Sequence, residues 1–396
     1  MVTYTGYTVY DPTTGGAGLQ EALVRESVAD ITTNLFPLDT PAQQILEKFP
    51  MQNVLTEMPV DTFSSTIIPR TGIGTLFSNS ATSASFANIL ARPEAWTFTN
   101  NTAQYPARLK SVAEIQGQQF AVSDTDRAMS QYGLTDRFAY EALKTTQAVV
   151  NNFENAFWWG SGTPPAGTDL NSGADTQQLV RMTQGLVTWI CKSGLQRSKI
   201  GLGTASFTDG HGNQFGTNNA ALNTGASTWA YDAAGVTLDQ SMFKDNLMAQ
   251  WYAITGRQAG AVGFCGARVK NLFSQFALTA NGPINMRTLD AAAKQVVDTV
   301  DYYDTDFGLV SLNLCRYLNF SGQSVTISQS AGSTTIPCDE VLLFIKPQYW
   351  KIGVVRPVYM SPLGKIGDFE QGLVRGEMSL VSTNPQGGVA VVNCIP

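Results

Sequence analysis

The chain has 396 residues, only 14% of them charged, and a formal net charge of −6. Because charged residues usually make up about a quarter of a soluble domain, this composition predicts a neutral, polar surface, typical of a protein that other subunits cover. The absence of a Lys- or Arg-rich run argues against sequence-independent binding to phosphate backbones, and the length favours two or three structural units.

The cysteines and the N-terminus limit the class of protein further. The number of cysteines is odd and they are far apart, so we expect free buried thiols rather than disulfides or a zinc site. They are Cys191, Cys265, Cys315, Cys338 and Cys394. No basic start precedes an apolar run, and no stretch approaches about 18 apolar residues, so neither a signal peptide nor a membrane span is expected. A secreted β protein with few charges is the alternative that the composition leaves open.

The N-terminal part of the chain is predicted to be a loose arm. Residues 1–18 are expected to be extended, and residues 19–34 to form a helix that ends before Pro37. A second helix is predicted over 42–49, with Thr40 as its cap. Such a segment has no evident core of its own, so we expect it to lie on the rest of the chain or on a neighbouring subunit.

A long β-hairpin is predicted next. Strand-like segments at 61–69, 96–99 and 108–116 surround an almost uncharged stretch at 72–88. In the last of these strands, alternate residues are expected to point to opposite faces. One face carries Leu109, Ser111, Ala113 and Ile115, and the other carries Arg108, Lys110, Val112 and Glu114. Because isolated two-stranded hairpins are marginal in water, this hairpin needs a partner surface.

The longest element is an amphipathic helix predicted over 135–158, which is about 24 residues and about 36 Å long. Thr135 is expected to cap it and Gly160 to end it, and a shorter helix capped by Ser123 precedes it. Its apolar stripe recurs at steps of three and four and comprises Leu134, Phe138, Ala142, Thr145, Val149, Phe153 and Phe157. Glu154 falls on the opposite, polar face.

The rest of the chain alternates helices and strands. Helices are predicted over 176–190, 237–253 and 267–277, the second of them with a capping box formed by Thr237 and Gln240. Strands are predicted over 261–264, 296–303, 309–315 and 341–345, in a hairpin at 324–336, and over 373–381 as the last strong strand. The continuous apolar run at 341–345 is typical of a central strand, and residues 200–235 are expected to form a surface insertion.

Residues suited to catalysis are scarce. The one histidine, His211, lies in a Gly/Asn loop as a solvated residue would, which argues against Ser-His-Asp and Cys-His sites. An acidic hairpin carries Asp298, Asp301, Asp304 and Asp306, for which a solvated turn and a divalent-ion site are the alternatives. No catalytic, cofactor-binding or metal site is predicted.

Several short motifs, taken in order, resemble one protein family. They are NLFPLDTP at 34–41, NTAQ at 101–104, the helix end near Glu154, YDTDFG at 303–308, and GDFE at 367–370 before a strand with Glu377. The chain resembles the major capsid proteins of tailed bacteriophages with the Hong Kong 97-type fold, in the branch typified by a large podovirus coliphage. The resemblance runs from about residue 20 to residue 396, with departures at 205–235 and 324–336.

This resemblance implies an α+β fold in five parts. They are an N-terminal arm at 1–59, an extended loop at 60–117, a peripheral domain with the long helix at 118–235, an axial domain at 236–345, and closing strands of the peripheral domain at 346–396. It further implies a virion shell of hexamers and pentamers, assembled in the host cytoplasm, that contacts packaged double-stranded DNA non-specifically. No cofactor, enzymatic activity or membrane is implied. Because the arm starts directly at Met1, a separate scaffolding protein is expected, beside a portal and a cement protein.

Side chains of the arm and the extended loop are the candidates for contacts between subunits. They are Arg25, Phe36, Phe63, Arg70, Trp96, Phe98, Arg108 and Lys110. A cellular, encapsulin-like nanocompartment shell is the second hypothesis, and it would need an encapsulated cargo. A glycine-rich polysaccharide hydrolase or lectin is the third, and it would need a cleft with paired carboxylates.

Overall fold

The structure, a computed structural model, describes residues 38–60, 107–129, 136–162, 181–197, 207–208, 214–215, 229–233, 237–249, 251–252, 256, 260–279, 289–290, 295–296, 301–329, 332–365, 367–384, 387–392 and 394. The α-helices are α1 (Pro41–Ile45), α2 (Asp124–Ala128), α3 (Arg137–Trp159), α4 (Leu186–Gly194) and α5 (Ala267–Thr279), and a π-helix covers Met242–Met248. The strands are β1 (Glu47–Pro50), β2 (Leu55–Val60), β3 (Ala107–Val112), β4 (Glu114–Ser123), β5 (Leu195–Arg197), β6 (Phe207–Thr208), β7 (Gln214–Phe215), β8 (Trp229–Asp232), β9 (Ala261–Cys265), β10 (Leu289–Asp290), β11 (Gln295–Val296), β12 (Tyr302–Thr305), β13 (Gly308–Leu314), β14 (Ser324–Gln329), β15 (Gly332–Pro337), β16 (Leu342–Ile345), β17 (Trp350–Leu363), β18 (Phe369–Ser382) and β19 (Gly388–Val392).

Some sequence predictions fall outside the described residues. They are the helix at 19–34, the segments at 61–69, 72–88 and 96–99, the cap Thr135, His211 and Asp298.

The long helix is confirmed as α3, with a different cap. Asp136 precedes it, and its Oδ1 accepts a hydrogen bond from the backbone N–H of Phe138 at 2.9 Å. The N-cap is therefore one residue later than the sequence predicts, at Asp136 instead of Thr135. The buried part of the predicted stripe is Thr145, Val149, Phe153 and Phe157. The prediction that Glu154 lies on the polar face is wrong, since this side chain is fully buried.

The end of α3 depends on a close backbone approach. Gly160 has a φ of −48°, so it does not adopt the left-handed conformation expected of a C-terminal glycine. Instead, Gly185 N donates to Gly160 O at 2.9 Å, and a Cβ on Gly160 would collide with the carbonyl oxygen of Thr183. The predicted helix over 176–190 is therefore wrong at 181–185, where the chain is extended against the end of α3.

A four-stranded sheet packs against α3. Its strand order is β1-β17-β18-β4, and β17 and β18 form a long antiparallel pair with two β-bulges on either side of Arg356. β1 joins the sheet in parallel, with Glu47 opposite Lys351. The helix predicted over 42–49 is thus wrong in its second half, because pairing with the distant strand β17 extends the chain there. Thr40 precedes α1, but its side chain makes no capping hydrogen bond.

A seven-stranded sheet forms the second layer, in the order β12-β13-β9-β16-β19-β8-β5. The predicted central strand is confirmed, because β16 is the middle strand and all four of its residues are buried. Two interpretations are wrong. Residues 229–232 are not part of a surface insertion, since β8 pairs between β19 and β5, and β19 follows the strand that the sequence predicts as the last.

Two hydrophobic cores lie on the two faces of this sheet. Along β16, Leu343 and Ile345 enter the core that contains α3 and α4, whereas Leu342 and Phe344 enter the core with the π-helix and α5. Because successive side chains of a strand point to opposite faces, a strand buried on both faces is apolar throughout. The apolar run at 341–345 therefore records burial on both sides of the sheet.

The remaining predictions are mostly confirmed. α5, β9, β13 and the β14–β15 hairpin lie where the sequence places them, and Ser123 caps α2 by accepting from Thr125 N at 3.2 Å. The strand predicted over 296–303 is displaced, since β12 covers Tyr302–Thr305, and residues 297–300 lie outside the described residues. Asp239 replaces the predicted capping box, because its carboxylate accepts a hydrogen bond from Met242 N at 2.6 Å. The turns that follow are π-helical. Gly256, with a φ of +73°, follows that segment in the left-handed conformation that glycine adopts readily.

Candidate assembly surface

The base of the predicted hairpin is the first part of the candidate surface. β2 and β3 pair antiparallel from Leu55 opposite Val112 to Val60 opposite Ala107. Leu109 is fully buried, so the base is held in the core. The two strands are therefore fixed to the body, and residues 61–106 connect their outer ends.

Two of the eight predicted interface residues lie on β3. The side chain of Arg108 is 72% exposed and pairs with Glu57 at 3.0 Å between Nη1 and Oε2. Lys110 stands opposite Glu57 in the register and is half-buried. An exposed ion pair of this kind contributes about 0–1 kcal/mol to stability, so Arg108 can exchange its partner at little cost. The other six, Arg25, Phe36, Phe63, Arg70, Trp96 and Phe98, lie outside the described residues.

The predicted alternation fails where β3 ends. Val112 is buried and Ile115 is 48% exposed, the reverse of their predicted faces. The reason is Ala113, whose backbone N–H donates to Val54 O at 2.9 Å and which separates β3 from β4. The chain thereby leaves the two-stranded hairpin and enters the four-stranded sheet, and the alternation of buried and exposed side chains is interrupted at Ala113.

A wide groove of about 720 Å³ runs between β4 and the C-terminal half of α3. Ile115 and Met182, 48% and 41% exposed, are apolar parts of its wall, and Gln116 and Asn152 are polar parts. β4 is an edge strand of its sheet in the described part of the chain. Edge strands offer backbone groups to another chain, so this groove presents both hydrogen-bonding groups and apolar surface to an extended polypeptide.

A buried carboxylate joins the start of the described chain to α3. Glu154 accepts hydrogen bonds from Ala42 N at 2.6 Å, from Gln43 N at 3.2 Å and from Trp158 Nε1 at 2.9 Å. Burial raises the pKa of Glu154, and these hydrogen bonds act in the opposite direction. The carboxylate thus takes the capping role for α1 that the sequence assigns to Thr40.

A second, smaller groove of about 410 Å³ lies on the other side of this junction. Its wall includes Lys144 and Asn151 of α3 and Arg316 and Phe320 from the turn after β13. Tyr317 also lines it, and burial together with the nearby acidic groups raises the pKa of Tyr317 to about 12. Both cations have exposed side chains, so this groove is a positively charged surface.

A network of buried charge stabilises the long β17–β18 pair. Glu377 is buried and accepts from Arg181 Nη2 at 3.0 Å, while its other carboxylate oxygen accepts from Arg356 Nε at 3.0 Å. Because Arg356 lies between the two bulges of β17, the network holds the irregular part of that strand against β18.

Two aspartates of the acidic hairpin form ion pairs with lysines. In the described part of the acidic hairpin, Asp301 pairs with Lys270 and Asp306 pairs with Lys244, each at 2.8 Å. Within the described residues, no group of three or more potential ligands could hold a metal ion, and no helix is long and apolar enough to cross a membrane.

The five cysteines are free and buried, as predicted. Desolvation raises the pKa of Cys265, Cys315 and Cys394 to about 12, and that of Cys338 to about 11. These four thiols are therefore protonated near neutral pH, and a protonated buried thiol is a poor nucleophile and a poor metal ligand.

The whole sequence matches one family model. The match covers residues 3–394 and carries the description SU10 major capsid protein. The chain belongs to this family. The described sheets and helices are thus those of a major capsid protein, and the family match does not favour the encapsulin-like alternative. A comparison with curated proteins found no match.

Solved capsid structures share the fold of this capsid protein. The capsid of cyanophage A-1(L) superimposes with a TM-score of 0.60 at 10% identity, covering 95% of this chain and 98% of that one. The capsid of the empty GTA particle gives 0.54 at 8% identity, with 95% and 97% coverage. The capsid of cyanophage P-SCSP1u gives 0.52 at 12% identity, with 97% and 98% coverage. The predicted Hong Kong 97-type α+β fold is confirmed.

The sequence prediction missed the side chains that join the elements of this capsid protein. These side chains contact, or line a groove with, residues that are far away in the sequence. They are Glu154, Glu377, and the two cations of the smaller groove, Lys144 and Arg316. The one local sequence feature that could have indicated a buried Glu154 is its spacing from Trp158. The two residues lie one helical turn apart, and Trp158 Nε1 donates to Glu154.

Proposed function

We propose that copies of this capsid protein assemble as pentamers and hexamers into an icosahedral shell around packaged double-stranded DNA. The observation that carries the proposal is the family match over residues 3–394, together with whole-chain similarity to solved capsids. Assembly in the host cytoplasm, with a scaffolding protein, a portal and a cement protein as partners, belongs to the same proposal. The chain acts in it as a structural protein without enzymatic activity.

The extended hairpin supports this proposal. Its base is fixed by buried Leu109, and the 46 residues at 61–106 join two strands that end side by side at Val60 and Ala107. A two-stranded ribbon gains stability from a third surface, which a neighbouring subunit would supply. In a closed symmetric shell each subunit makes many such contacts at once, so individually weak contacts give a stable assembly.

Within the proposal, the eight predicted interface residues contact neighbouring subunits. Arg108 and Lys110 stand at the root of the hairpin, and Arg25, Phe36, Phe63, Arg70, Trp96 and Phe98 are assigned to the arm and loop. Arginine and aromatic side chains are the residue types that contribute most at protein interfaces.

The proposed division of the subunit follows the predicted parts except for three strands. The arm is 1–59, the extended loop 60–117, the peripheral domain 118–235 with closing strands 346–396, and the axial domain 236–345. Because β5, β8 and β19 share a sheet with β9, β13 and β16, we assign these three strands to the axial part. The net charge of −6 suits a container that must not bind its DNA tightly.

Electron microscopy with light scattering tests the proposed function. The purified chain is examined alone and with the scaffold candidate from its own genome. We expect closed shells, or rings of five and six subunits, in at least one of these conditions. A folded monomer that assembles in neither condition would contradict the proposal.

A further inference from the structure

The described chain begins at the edge of the positively charged groove. Tyr317, which lines the groove, donates from its hydroxyl group to Asp39 O at 3.1 Å. Just downstream of Asp39, the backbone N–H groups of Ala42 and Gln43 donate to the carboxylate of Glu154. These contacts fix where residues 1–37 leave the body, and the point of departure is next to the groove.

The groove has the chemistry of a site for a carboxylate-bearing peptide. Lys144 has a 60% exposed side chain, and the one ion pair it makes among the described residues is a 3.4 Å contact with Glu141. Arg316 is exposed, and its guanidinium pairs with no acidic group in the described part of the chain. Phe320 is 37% exposed and adds apolar surface. No acidic residue is among the described residues that line the groove.

The segment that departs from this point has the opposite charge. Residues 1–37 carry four acidic side chains, Asp11, Glu21, Glu26 and Asp30, and one basic side chain, Arg25, so their net charge is −3. Opposite charges attract more strongly where protein walls displace water, and a tethered segment has a high effective concentration at a site beside its own anchor.

We propose that the acidic segment 1–37 docks in the groove of its own subunit, with its carboxylates paired to Lys144 and Arg316. The docked segment covers Phe320 and continues the attachment that begins at Asp39 and Glu154. This docking precedes shell formation and does not require it, so it is an intramolecular function of the subunit that goes beyond assembly.

Cleavage by trypsin after Arg25 reports on docking. Arg25 is the one Lys or Arg residue before Lys48, so cleavage there gives a defined pair of fragments. In unassembled full-length subunits, we expect Lys144→Glu/Arg316→Glu to be cleaved there about tenfold faster than the wild type, because two exposed attractions become repulsions. Salt at about 0.5 M should raise the wild-type rate toward that of the variant, since ions screen exposed charges.

A charge-matched control separates docking from net charge. Lys244→Glu/Lys365→Glu reverses two cations outside the groove, one half-buried and one exposed, and should leave the cleavage rate unchanged. Glu21→Gln/Asp30→Asn in the segment should raise the rate, and combining it with the groove variant should add little, because both remove the same contact. Thermal unfolding of every variant should match the wild type, which excludes partial unfolding as the cause of cleavage.

Three results would overturn the proposal. They are an unchanged rate in the groove variant, an equal increase in the control, and full additivity of the groove and segment variants. Protection of wild-type Arg25 from trypsin that rises with subunit concentration would also overturn it, because the groove would then be occupied by the segment of a second copy. Because the assay needs no shells, loss of assembly with intact groove dependence would refute the proposed function and leave this inference standing.

Discussion

At the scale of single residues, Glu154 shows how a buried charge is retained. Removing a carboxylate from water is costly, and two backbone N–H groups and the indole N–H of Trp158 offset part of that cost. All three donors would lose their partner if the carboxylate were removed. Glu154 therefore links the start of α1 to α3.

We expect Glu154→Ala to lower the free energy of unfolding by about 2–4 kcal/mol, because it leaves several buried donors without an acceptor. Glu154→Gln is the matched variant. Its side-chain oxygen can still accept from Ala42 N and Trp158 Nε1, so the expected loss is only about 1 kcal/mol. Urea unfolding of unassembled subunits measures both. Equal losses in the two variants would contradict a hydrogen-bonding role.

The same residue predicts a dependence of stability on pH. Its pKa in the folded protein is raised above the ordinary value of 4.5, so the folded state binds the proton more readily than the unfolded state. The stability from this group is therefore fully present below about 4.5 and is lost as the pH rises through the raised pKa. The surrounding Cys315 and Tyr317, with pKa values of about 12, titrate well above this range.

We therefore expect the stability of the wild type relative to Glu154→Gln to fall as the pH rises from about 4.5. Urea unfolding of both proteins at a series of pH values gives this difference directly. A difference that is constant, or that grows with pH, would show that burial of Glu154 does not control its protonation.

At the scale of elements, the sequence predicts those whose pattern is local. The spacing of Val149, Phe153 and Phe157 identifies α3, and the apolar run at 341–345 identifies β16, because each pattern reflects the element's own geometry. The elements that the sequence misses depend on distant partners. Residues 47–50 are a strand because they pair with β17, and β19 is a strand because β16 and β8 lie beside it.

The candidate surface was less predictable for the same reason. Arg108 was found because it belongs to a long strand-like segment, whereas the groove requires Lys144 of α3 and Arg316 from the turn after β13 to meet. Such a meeting has no local sequence signal. Glu154 was assigned to a polar face because its donors come from a different part of the chain.

The contact between the end of α3 and residues 181–185 allows a test at this scale. Gly160→Ala should lower stability by about 1–3 kcal/mol, because the added Cβ would collide with Thr183 and force the backbones apart. Gly364→Ala is the control, since a Cβ there meets nothing within 4 Å. The two variants are compared by thermal unfolding of the subunit. Similar melting temperatures in both would contradict the close approach.

At the scale of the whole molecule, two sheets and two cores form the body, and β2 and β3 join the base of the hairpin to it. In the body, the seven-stranded sheet is covered on both faces, and Glu377 is paired with two arginines. The described contacts of the hairpin with the core lie at its base, at Leu109 and Val112, whereas residues 61–106 are assigned by the proposal to contacts with neighbouring subunits. This contrast predicts that the body folds without residues 61–106 and that the shell does not form without them.

The structure also defines where the hairpin can be cut. Removing all of residues 60–117 would delete Leu109 and Val112 from the core and part of β4 from its pairing with β18. Val60 and Ala107 are directly opposite each other, so an Asn-Gly turn can join them in place of residues 61–106. The resulting variant keeps every described strand of the body.

The decisive measurement is sedimentation velocity with electron microscopy on the wild type and on this shortened variant, under conditions in which the wild type assembles. We expect the wild type to form closed shells and the variant to remain a folded, unassembled subunit with a similar melting temperature. Normal shells from the variant would contradict the account, because the hairpin would then not hold the subunits together.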